Sequence, residues 1–345
     1  MAAPASRLSR AKRAGKIARP AVHVQFGLSD EDALDLYYQM LVSRRLSEQA
    51  LRLAYQGSID VAIPSEGHEA AQIASMRALR PNDPVYLFYR SVPAAYARGM
   101  TAREIFLDYF GRADGPSSGG KNLAGHWAKR DLNLVSVSGS VATQIPNAVG
   151  SALAAKLRGE DSVTVAYFGD GGSSKSDFHE GLNFAAVHQL PVILFCENNG
   201  LAISVPFEKQ SAVARVADRA VGYAVVGISV DGADPLQVYR VMREAVDGAR
   251  AGSGPALIEA RVQRLGQHTS QVPDQRSPAE VAADVRRYDP VPRFARYLRH
   301  VGLLDDARDA ELIARADTEI RDGVAHAEAA QPPTAERAFA DVYSG

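Results

Sequence analysis

Residues 163–172 read Val-Thr-Val-Ala-Tyr-Phe-Gly-Asp-Gly-Gly, a short apolar run that ends in glycines around one aspartate. A second stretch of this kind, residues 192–200, reads Val-Ile-Leu-Phe-Cys-Glu-Asn-Asn-Gly. Both apolar runs predict buried strands, and a polar loop follows each of them. Because ligands bind at the carboxyl ends of strands in open parallel sheets, the two loops are predicted to lie at one binding edge.

The rest of the chain continues this alternation of strands and helices. Further strands are predicted over Ala224–Val230 and Ala256–Val262, and helices between strands over Phe178–His188 and Pro235–Arg250. This order is typical of an α/β fold with a parallel sheet flanked by helices. Other helical patterns begin after Ser29, with Asp32 as its capping-box partner, and cover Pro93–Tyr109, Ala142–Leu157 and Arg293–Ala330. Residues 111–130 are predicted to form a long glycine-rich loop.

The composition excludes several classes of protein. The chain has 345 residues, a net charge of −1 and one cysteine, Cys196, so it can form no internal disulfide, and a reducing compartment is expected. No apolar run reaches the roughly 18 residues that indicate a membrane-spanning helix. The first 29 residues carry six basic and no acidic side chains. The remainder is therefore acidic, which argues against non-specific binding of nucleic acid.

Residues 1–27 are accordingly interpreted as a basic arm, and residues 28–345 as one domain with a helical C-terminal region. A disordered tail is the favoured interpretation of the arm. A cleaved organellar transit peptide stays open, because such peptides are rich in Arg and Ser and poor in acids. A secretory signal is disfavoured, since no apolar core follows the charges. The expected location is a bacterial cytoplasm, or the mitochondrial matrix if the arm is a transit peptide.

The two loops at the predicted binding edge suit a cation that bridges to phosphate. Glycine lets backbone N–H groups approach an anion, but Asp170 repels phosphate unless a divalent cation lies between them. The side-chain oxygens of Asp170 and Asn199 and a backbone carbonyl are hard ligands of the kind that Mg²⁺ prefers. Each loop by itself is equally consistent with an ordinary turn. Together, after two buried strands, they favour a magnesium–diphosphate site.

The spaced pair Gly169-Asp170-Gly171 and Asn198-Asn199 resembles the thiamin-diphosphate motif. Between them, residues 177–186 read Asp-Phe-His-Glu-Gly-Leu-Asn-Phe-Ala-Ala. They are similar to the alpha subunit of the decarboxylating component of 2-oxo acid dehydrogenase complexes. The resemblance extends from about Leu28 to the C-terminus. It implies a thiamin-diphosphate-binding fold in which Asp170, the Asn199 side chain and the Leu201 carbonyl hold Mg²⁺, with Gly171 and Gly172 beside the cofactor.

Other site residues are implied by the same resemblance, position by position. Tyr89 and Arg90 match a pair that contacts the diphosphate, although the residues alone favour a surface ion pair for Arg90. Residues 138–146 match a segment that reaches the aminopyrimidine through backbone groups of Gly139 and Val141. In some relatives oxygens of this segment hold a monovalent cation such as K⁺; the corresponding residues here are Ser138, Thr143 and Gln144.

Two histidines are candidate catalytic residues. His268 follows the predicted strand Ala256–Val262 and matches the active-site histidine of the family, where it would contact the cofactor phosphate and assist proton movement. Imidazole suits that role because its charge changes near neutral pH. His126 follows the glycine-rich loop and is a candidate for the substrate channel; the alternative is a packed histidine beside Trp127.

The sequence departs from the family pattern at two places. Lys175-Ser176 stands where Glu-Gly is usual, which puts a base beside the magnesium loop and leaves the predicted ligands intact. Residues 269–276 are shorter than expected, with Gln275 in place of a tyrosine. This change could alter the preference for substrate or carrier, or mark a weakly active relative. Thr269 occupies the place of a serine that is phosphorylated in regulated relatives, and the sequence alone does not predict that regulation.

The resemblance implies partners as well as chemistry. The glutamate that activates the cofactor would come from a beta subunit, in an assembly of two alpha and two beta subunits, and the acyl group would pass to a lipoyl-bearing acyltransferase core. Residues 289–294 resemble the C-terminal part of branched-chain members, whereas Gly125-His126-Trp127 is more similar to pyruvate- and acetoin-type relatives. Branched-chain 2-oxo acids are placed first, pyruvate second and acetoin third. A non-catalytic binding paralogue and a magnesium-dependent phosphate hydrolase stay open as alternatives. No membrane or nucleic-acid partner is expected.

Overall fold

A computed structural model describes residues 20–340. Most of the predicted basic arm lies outside these residues. Its last part is described: Val22–Gln25 (α1) forms a short helix, and His23 on it is buried. The His23 ring lies 2.7 Å from the Tyr297 hydroxyl and 2.8 Å from Asp30. The folded chain therefore begins before Leu28, where the sequence analysis placed its start.

A six-stranded parallel sheet forms the centre of the structure. Its strands are β1 (Val85–Tyr86), β2 (Leu134–Val135), β3 (Thr164–Gly169), β4 (Val192–Asn198), β7 (Val226–Asp231) and β8 (Ala256–Arg261), in the order β2-β1-β3-β4-β8-β7. A separate antiparallel hairpin consists of β5 (Leu201–Ala202) and β6 (Val205–Pro206). The predicted α/β class with a parallel sheet is confirmed.

Helices cover both faces of the sheet. They are α2 (Asp30–Tyr55), α3 (Glu69–Arg77), α4 (Val92–Arg98), α5 (Ala102–Tyr109), α6 (Gln144–Arg158), α7 (Ser176–Val187), α8 (Pro235–Arg250), α9 (Pro278–Tyr288), α10 (Pro290–His300) and α11 (Asp306–Ala329). Within residues 20–340 none of these helices is long and apolar enough to cross a membrane.

Side chains alternate between the two faces of the sheet, because successive residues of a strand point in opposite directions. Tyr167 and Phe195 join the core under α2, α3 and α8, and Phe168 and Cys196 join the core under α6 and α7. All four side chains are fully buried. With both faces covered, the carboxyl edge of the sheet is left for a ligand.

Several predicted elements have different bounds in the structure. The capping box of Ser29 and Asp32 is present at the start of α2. The single helix predicted over Pro93–Tyr109 is wrong: Gly99 has a φ of +115° and ends α4, and Thr101 caps α5. The helix predicted from Ala142 begins at Gln144, because Ala142 has a φ of +75°. The helical region predicted over Arg293–Ala330 is two helices, α10 and α11, and α9, which begins at Pro278, was not predicted.

Candidate functional site

A cavity of about 270 Å³ opens at the carboxyl edge of the sheet, beside the ends of β3 and β4. Residues from five separate parts of the chain line it. Those that the sequence analysis had selected are Tyr89, Arg90, Ser138, Gly139, Val141, Gln144, Asp170, Gly171, Gly172, Asn199, Leu201 and His268. Of the predicted set, only His126 and Thr143 are not in its wall. Strand topology thus brings the predicted residues to one place.

The ends of β3 and β4 supply the oxygen atoms of the site. Asp170 is 1% exposed, and its Oδ2 accepts a hydrogen bond of 2.8 Å from Gln210. Burial raises the pKa of the Asp170 carboxyl, although the Gln210 bond acts in the opposite direction. Asn199 Oδ1 accepts a hydrogen bond of 3.1 Å from the Leu201 backbone N–H. Burial of a carboxylate without a salt bridge is costly, so the position of Asp170 favours a cation partner.

Gly171 allows the hairpin β5–β6 to approach this loop. A Cβ added to Gly171 would lie 2.9 Å from the Cβ of Ala202. A side chain at this position would therefore displace the hairpin that carries Leu201. Gly172 has ordinary space, with the nearest atom, on Phe168, at 3.4 Å.

Two buried guanidinium groups meet at His268 on the other side of the cavity. Arg90 is 2% and Arg264 is 3% exposed. Arg90 Nη2 lies 3.1 Å and Arg264 Nη1 lies 3.4 Å from His268 Nδ1. Arg90 also donates to the carbonyls of Pro64 and His268. Among residues 20–340 neither arginine has a salt bridge to a carboxylate. The charge of Asp274 attracts Arg264 from beyond salt-bridge distance. A pair of buried cations without a salt bridge favours an anionic ligand.

Burial and the nearby charges together determine the protonation state of His268. Desolvation, with the nearby charges of Arg90 and Arg264, lowers the pKa of His268 to about 4. Burial and the charges of Arg90 and Arg276 also lower the pKa of Arg264, to about 10. His268 is therefore neutral at pH 7. Since its Nδ1 accepts from the arginines, the ring proton is on Nε2, which leaves a hydrogen-bond donor.

The segment 138–144 forms a tight turn above the cavity. Ser138 Oγ lies 2.7 Å from Thr143 Oγ1, which donates to the Ser140 carbonyl at 3.0 Å. Gln144 is turned to the sheet, and its Nε2 donates to the Tyr167 carbonyl at 2.8 Å. The two hydroxyls predicted for a monovalent cation are thus together, and the Gln144 amide binds β3 instead of joining them.

His126 lies just outside the cavity wall. Its Nδ1 is 2.9 Å from the Leu123 carbonyl, and its Nε2 is 3.5 Å from the point where a Cβ on Gly139 would be. Trp127 beside it is fully buried against Tyr109. The loop that carries His126 is tied to α5, because Ser117 donates to both oxygens of the Asp108 carboxyl.

These residues fit thiamin diphosphate with Mg²⁺ by their donor chemistry. One wall has a buried carboxylate, an amide oxygen and a backbone carbonyl, which are Mg²⁺ ligands. The opposite wall has a buried guanidinium, which binds phosphate oxygens. Among residues 20–340 no three His, Cys, Asp or Glu side chains are placed to hold a metal. The predicted ligand set needs only one carboxylate, so it is compatible with that finding.

The dehydrogenase E1 component family matches residues 37–336 of this chain. The chain belongs to this family. It is 40% identical over 325 residues to the 2-oxoisovalerate dehydrogenase subunit alpha of Bacillus subtilis, covering 93% of this chain and 98% of that protein. The resemblance inferred from the motifs is confirmed.

Two further E1 component relatives differ from each other in the substrate that their names give. The 3-methyl-2-oxobutanoate dehydrogenase subunit alpha of Mycobacterium tuberculosis is 38% identical over 301 residues, 86% of this chain and 79% of that protein. The pyruvate dehydrogenase E1 component subunit alpha of Staphylococcus aureus is 36% identical over 309 residues, 89% of this chain and 81% of that protein.

The departures from the E1 component pattern lie at the edge of the site. Lys175 is exposed and lines the cavity beside the Asp170 loop. In the loop after His268, Arg276 forms salt bridges of 2.7 Å with Asp274 and 3.0 Å with Asp284. Arg276 also donates to the carbonyls of Arg264 and Gly266. The altered loop is therefore held against the segment that carries His268.

The sequence analysis missed four polar residues that support the site. Gln210 binds Asp170, Arg264 binds His268, and His68 and Gln72 bind Glu197 behind Asn199. Each belongs to a segment with no local motif, and each is brought to the site only by the fold.

Proposed function

We propose that this chain is the alpha subunit of a 2-oxo acid dehydrogenase that acts on branched-chain 2-oxo acids together with a beta subunit. The observation that carries the proposal is one cavity with two chemistries. Asp170 and Asn199 form an oxygen-rich wall, and Arg90, beside the neutral His268, forms a cationic wall without a salt bridge. A magnesium–diphosphate ligand complements both walls. The branched-chain preference is supported by the relatives from B. subtilis and M. tuberculosis.

Thiamin diphosphate, when bound, supplies the electron sink that allows a 2-oxo acid to lose CO₂. The residues of this chain would hold it. Asp170, the Asn199 side chain and the Leu201 carbonyl would bind Mg²⁺. Arg90, with Tyr89, would bind the diphosphate, since a guanidinium pairs with two phosphate oxygens at once. Backbone groups of Gly139 and Val141 would contact the aminopyrimidine.

His268 would act as a neutral hydrogen-bond donor. Its pKa, lowered to about 4 by burial and by the charges of Arg90 and Arg264, keeps the ring uncharged at pH 7. The Nε2–H can then donate to an anionic oxygen, and Arg90 and Arg264 hold the ring by its other nitrogen. A diphosphate offsets the two positive charges, so binding would raise this pKa towards the range useful for proton transfer. His126, beside Gly139, would face the substrate channel.

A second carboxylate for the reaction would come from a partner. Among the described residues that line the cavity, Asp170 is the only carboxylate, and it is assigned to the metal. This supports a beta subunit that completes the site, in an assembly of two alpha and two beta subunits. A lipoyl-bearing acyltransferase core would accept the acyl group. The Ser138–Thr143 turn is proposed to bind K⁺, and a bacterial cytoplasm is the proposed location.

Pyruvate is the second candidate substrate, because a relative that is 36% identical is a pyruvate dehydrogenase subunit. The experiment is to purify the full chain with its beta-type subunit and assay decarboxylation with thiamin diphosphate, Mg²⁺ and an artificial electron acceptor. We expect turnover only in the complex, with 3-methyl-2-oxobutanoate preferred over pyruvate and acetoin.

Two matched variants sharpen this assay. Asp170→Asn removes the buried carboxylate and is expected to abolish turnover. Asp114→Asn, on the exposed part of the glycine-rich loop, makes the same chemical change away from the cavity and should retain it. A complex that binds the cofactor but turns over none of the three substrates would refute the proposal and favour a binding paralogue.

A further inference from the structure

A buried polar network lies directly behind Asn199, outside the cavity. His68 Nδ1 is 2.6 Å from Glu197 Oε2, and Asn199 Nδ2 is 3.4 Å from His68 Nε2. His68 and Glu197 are fully buried, and Asn199 is 9% exposed. Buried polar groups are costly unless they form hydrogen bonds with one another. The hydrogen bonds of this network therefore determine which nitrogen of His68 carries the proton.

The orientation of the Asn199 amide is fixed from one side by the backbone. Its Oδ1 accepts from the Leu201 N–H at 3.1 Å. If the amide were flipped, two donors would face each other at this contact. Nδ2, a donor, therefore faces His68 Nε2, which must be an acceptor. The His68 proton is then on Nδ1, where Glu197 accepts it.

The same carboxylate connects this arrangement to the segment that carries Arg90. Gln72 Nε2 donates to Glu197 Oε2 at 2.8 Å and to the Arg90 carbonyl at 3.2 Å. Gln72 Oε1 accepts from the Ala94 N–H at 3.1 Å. One network thus reaches from the loop after β4 to the start of α4.

We propose that His68 is a positioning residue: through its single tautomer it holds the Asn199 amide so that Oδ1 is directed to a divalent cation. Through its hydrogen bonds to Glu197 and to the Arg90 carbonyl, Gln72 fixes the position of Asn199 relative to Arg90. The inference rests on the proposed function for the identity of the cation and the cofactor. What it states is how one ligand of a metal site is oriented. Groups that orient metal ligands typically contribute about 10–100-fold in metal affinity.

Two substitutions separate the two ends of the imidazole. In His68→Asn the amide nitrogen stands near the former Nδ1 and still donates to Glu197, but the side chain is too short for Asn199. In His68→Gln the amide oxygen reaches the former Nε2 and still accepts from Asn199. The full chain, purified with its beta-type subunit, is titrated with Mn²⁺ in the presence of thiamin diphosphate, and free Mn²⁺ is measured by electron paramagnetic resonance.

We expect His68→Asn to weaken Mn²⁺ binding by about tenfold or more, and His68→Gln to bind Mn²⁺ nearly as tightly as the wild type. Equal affinities in the two variants, whether both lowered or both unchanged, would overturn the proposal, because a packing role does not distinguish them. Should either variant not fold, a neutron structure of the wild-type complex decides: a proton on His68 Nδ1 supports the proposal and a proton on Nε2 overturns it.

Failure of the proposed function would look different. A wild-type complex that binds Mn²⁺ but decarboxylates no 2-oxo acid would refute the proposed activity. The Mn²⁺ affinities of the two variants would still test the role of His68. A wild-type complex that binds no Mn²⁺ with thiamin diphosphate would overturn both.

Discussion

The substitution Gly171→Ala tests whether cofactor binding depends on the close approach of the β5–β6 hairpin to the loop after β3. An added Cβ would lie 2.9 Å from Ala202 Cβ and 3.6 Å from Ala202 Cα. The backbone of Gly171 is outside the left-handed region, so alanine brings no conformational strain of its own. The whole effect therefore comes from this one contact.

The magnitude follows from the missing space. Carbon atoms in contact prefer separations of about 3.5–4.0 Å, so the hairpin must move by roughly 0.6 Å or more. Overpacking of this kind costs about 1–3 kcal/mol. Leu201, whose carbonyl is a proposed Mg²⁺ ligand, opens the displaced hairpin. If the cost falls on the liganded form, the affinity for thiamin diphosphate decreases by about 5–150-fold, since 1.4 kcal/mol is tenfold.

The assay is calorimetric titration of the complex with thiamin diphosphate at saturating Mg²⁺, together with a thermal unfolding curve. Gly248→Ala in α8 is the control, because the nearest atom to its new Cβ is Ser253 Oγ at 3.7 Å. That variant should keep the wild-type affinity and gain about 0.5–1 kcal/mol of stability from the better helix former. A Gly171→Ala complex whose dissociation constant is within twofold of the wild type would refute the reasoning.

Three further predictions concern the cationic wall and the glycine-rich loop. Arg90→Lys keeps the charge but loses the planar fork, so thiamin diphosphate should bind about tenfold or more weakly, as a titration would show; unchanged affinity contradicts a bidentate role. Because the folded pKa of His268 is about 4 and its ordinary value is 6.5, the unfolded state binds the proton first. Stability of the cofactor-free chain should therefore fall as pH decreases from 6.5 to 4. The stability difference between wild type and His268→Asn should show this slope, and a flat difference would disprove it. Ser117→Ala removes a donor to Asp108 and an acceptor for the Ala128 N–H, so urea unfolding should show a loss of about 1–3 kcal/mol; a loss below 0.5 kcal/mol would count against this anchor.

The sequence predicts those parts of the fold that are decided locally. β3 and β4 are continuous apolar runs, and the rule that ligands bind at strand ends places Asp170 and Asn199 at one edge without further information. β1 and β2 are two residues each, too short for any periodicity, so both were missed. The sequence predicts one helix through Gly99, whereas the structure ends α4 there, because glycine readily adopts the φ of +115° that stops the helix.

The supporting residues of the site could not be predicted in this way. His68 and Glu197 are 129 residues apart in sequence, and their contact depends on how α3 packs beside the sheet. Arg264 looks like a charged residue after a strand, and nothing local indicates that it is buried against His268. A motif identifies groups that touch a ligand, whereas the groups behind them are selected by tertiary packing.

The pair of arginines around His268 has a consequence for how this chain chooses what it binds. Burying two like charges side by side destabilises the folded protein. A ligand offsets that cost only if it is negatively charged. A neutral molecule of the same shape would leave the repulsion in place. The fold therefore discriminates by charge before any contact with the rest of the ligand is made. It also links the amount of folded protein to the concentration of the anion. A ligand at about 100 times its dissociation constant adds about 2.7 kcal/mol to the free energy of unfolding.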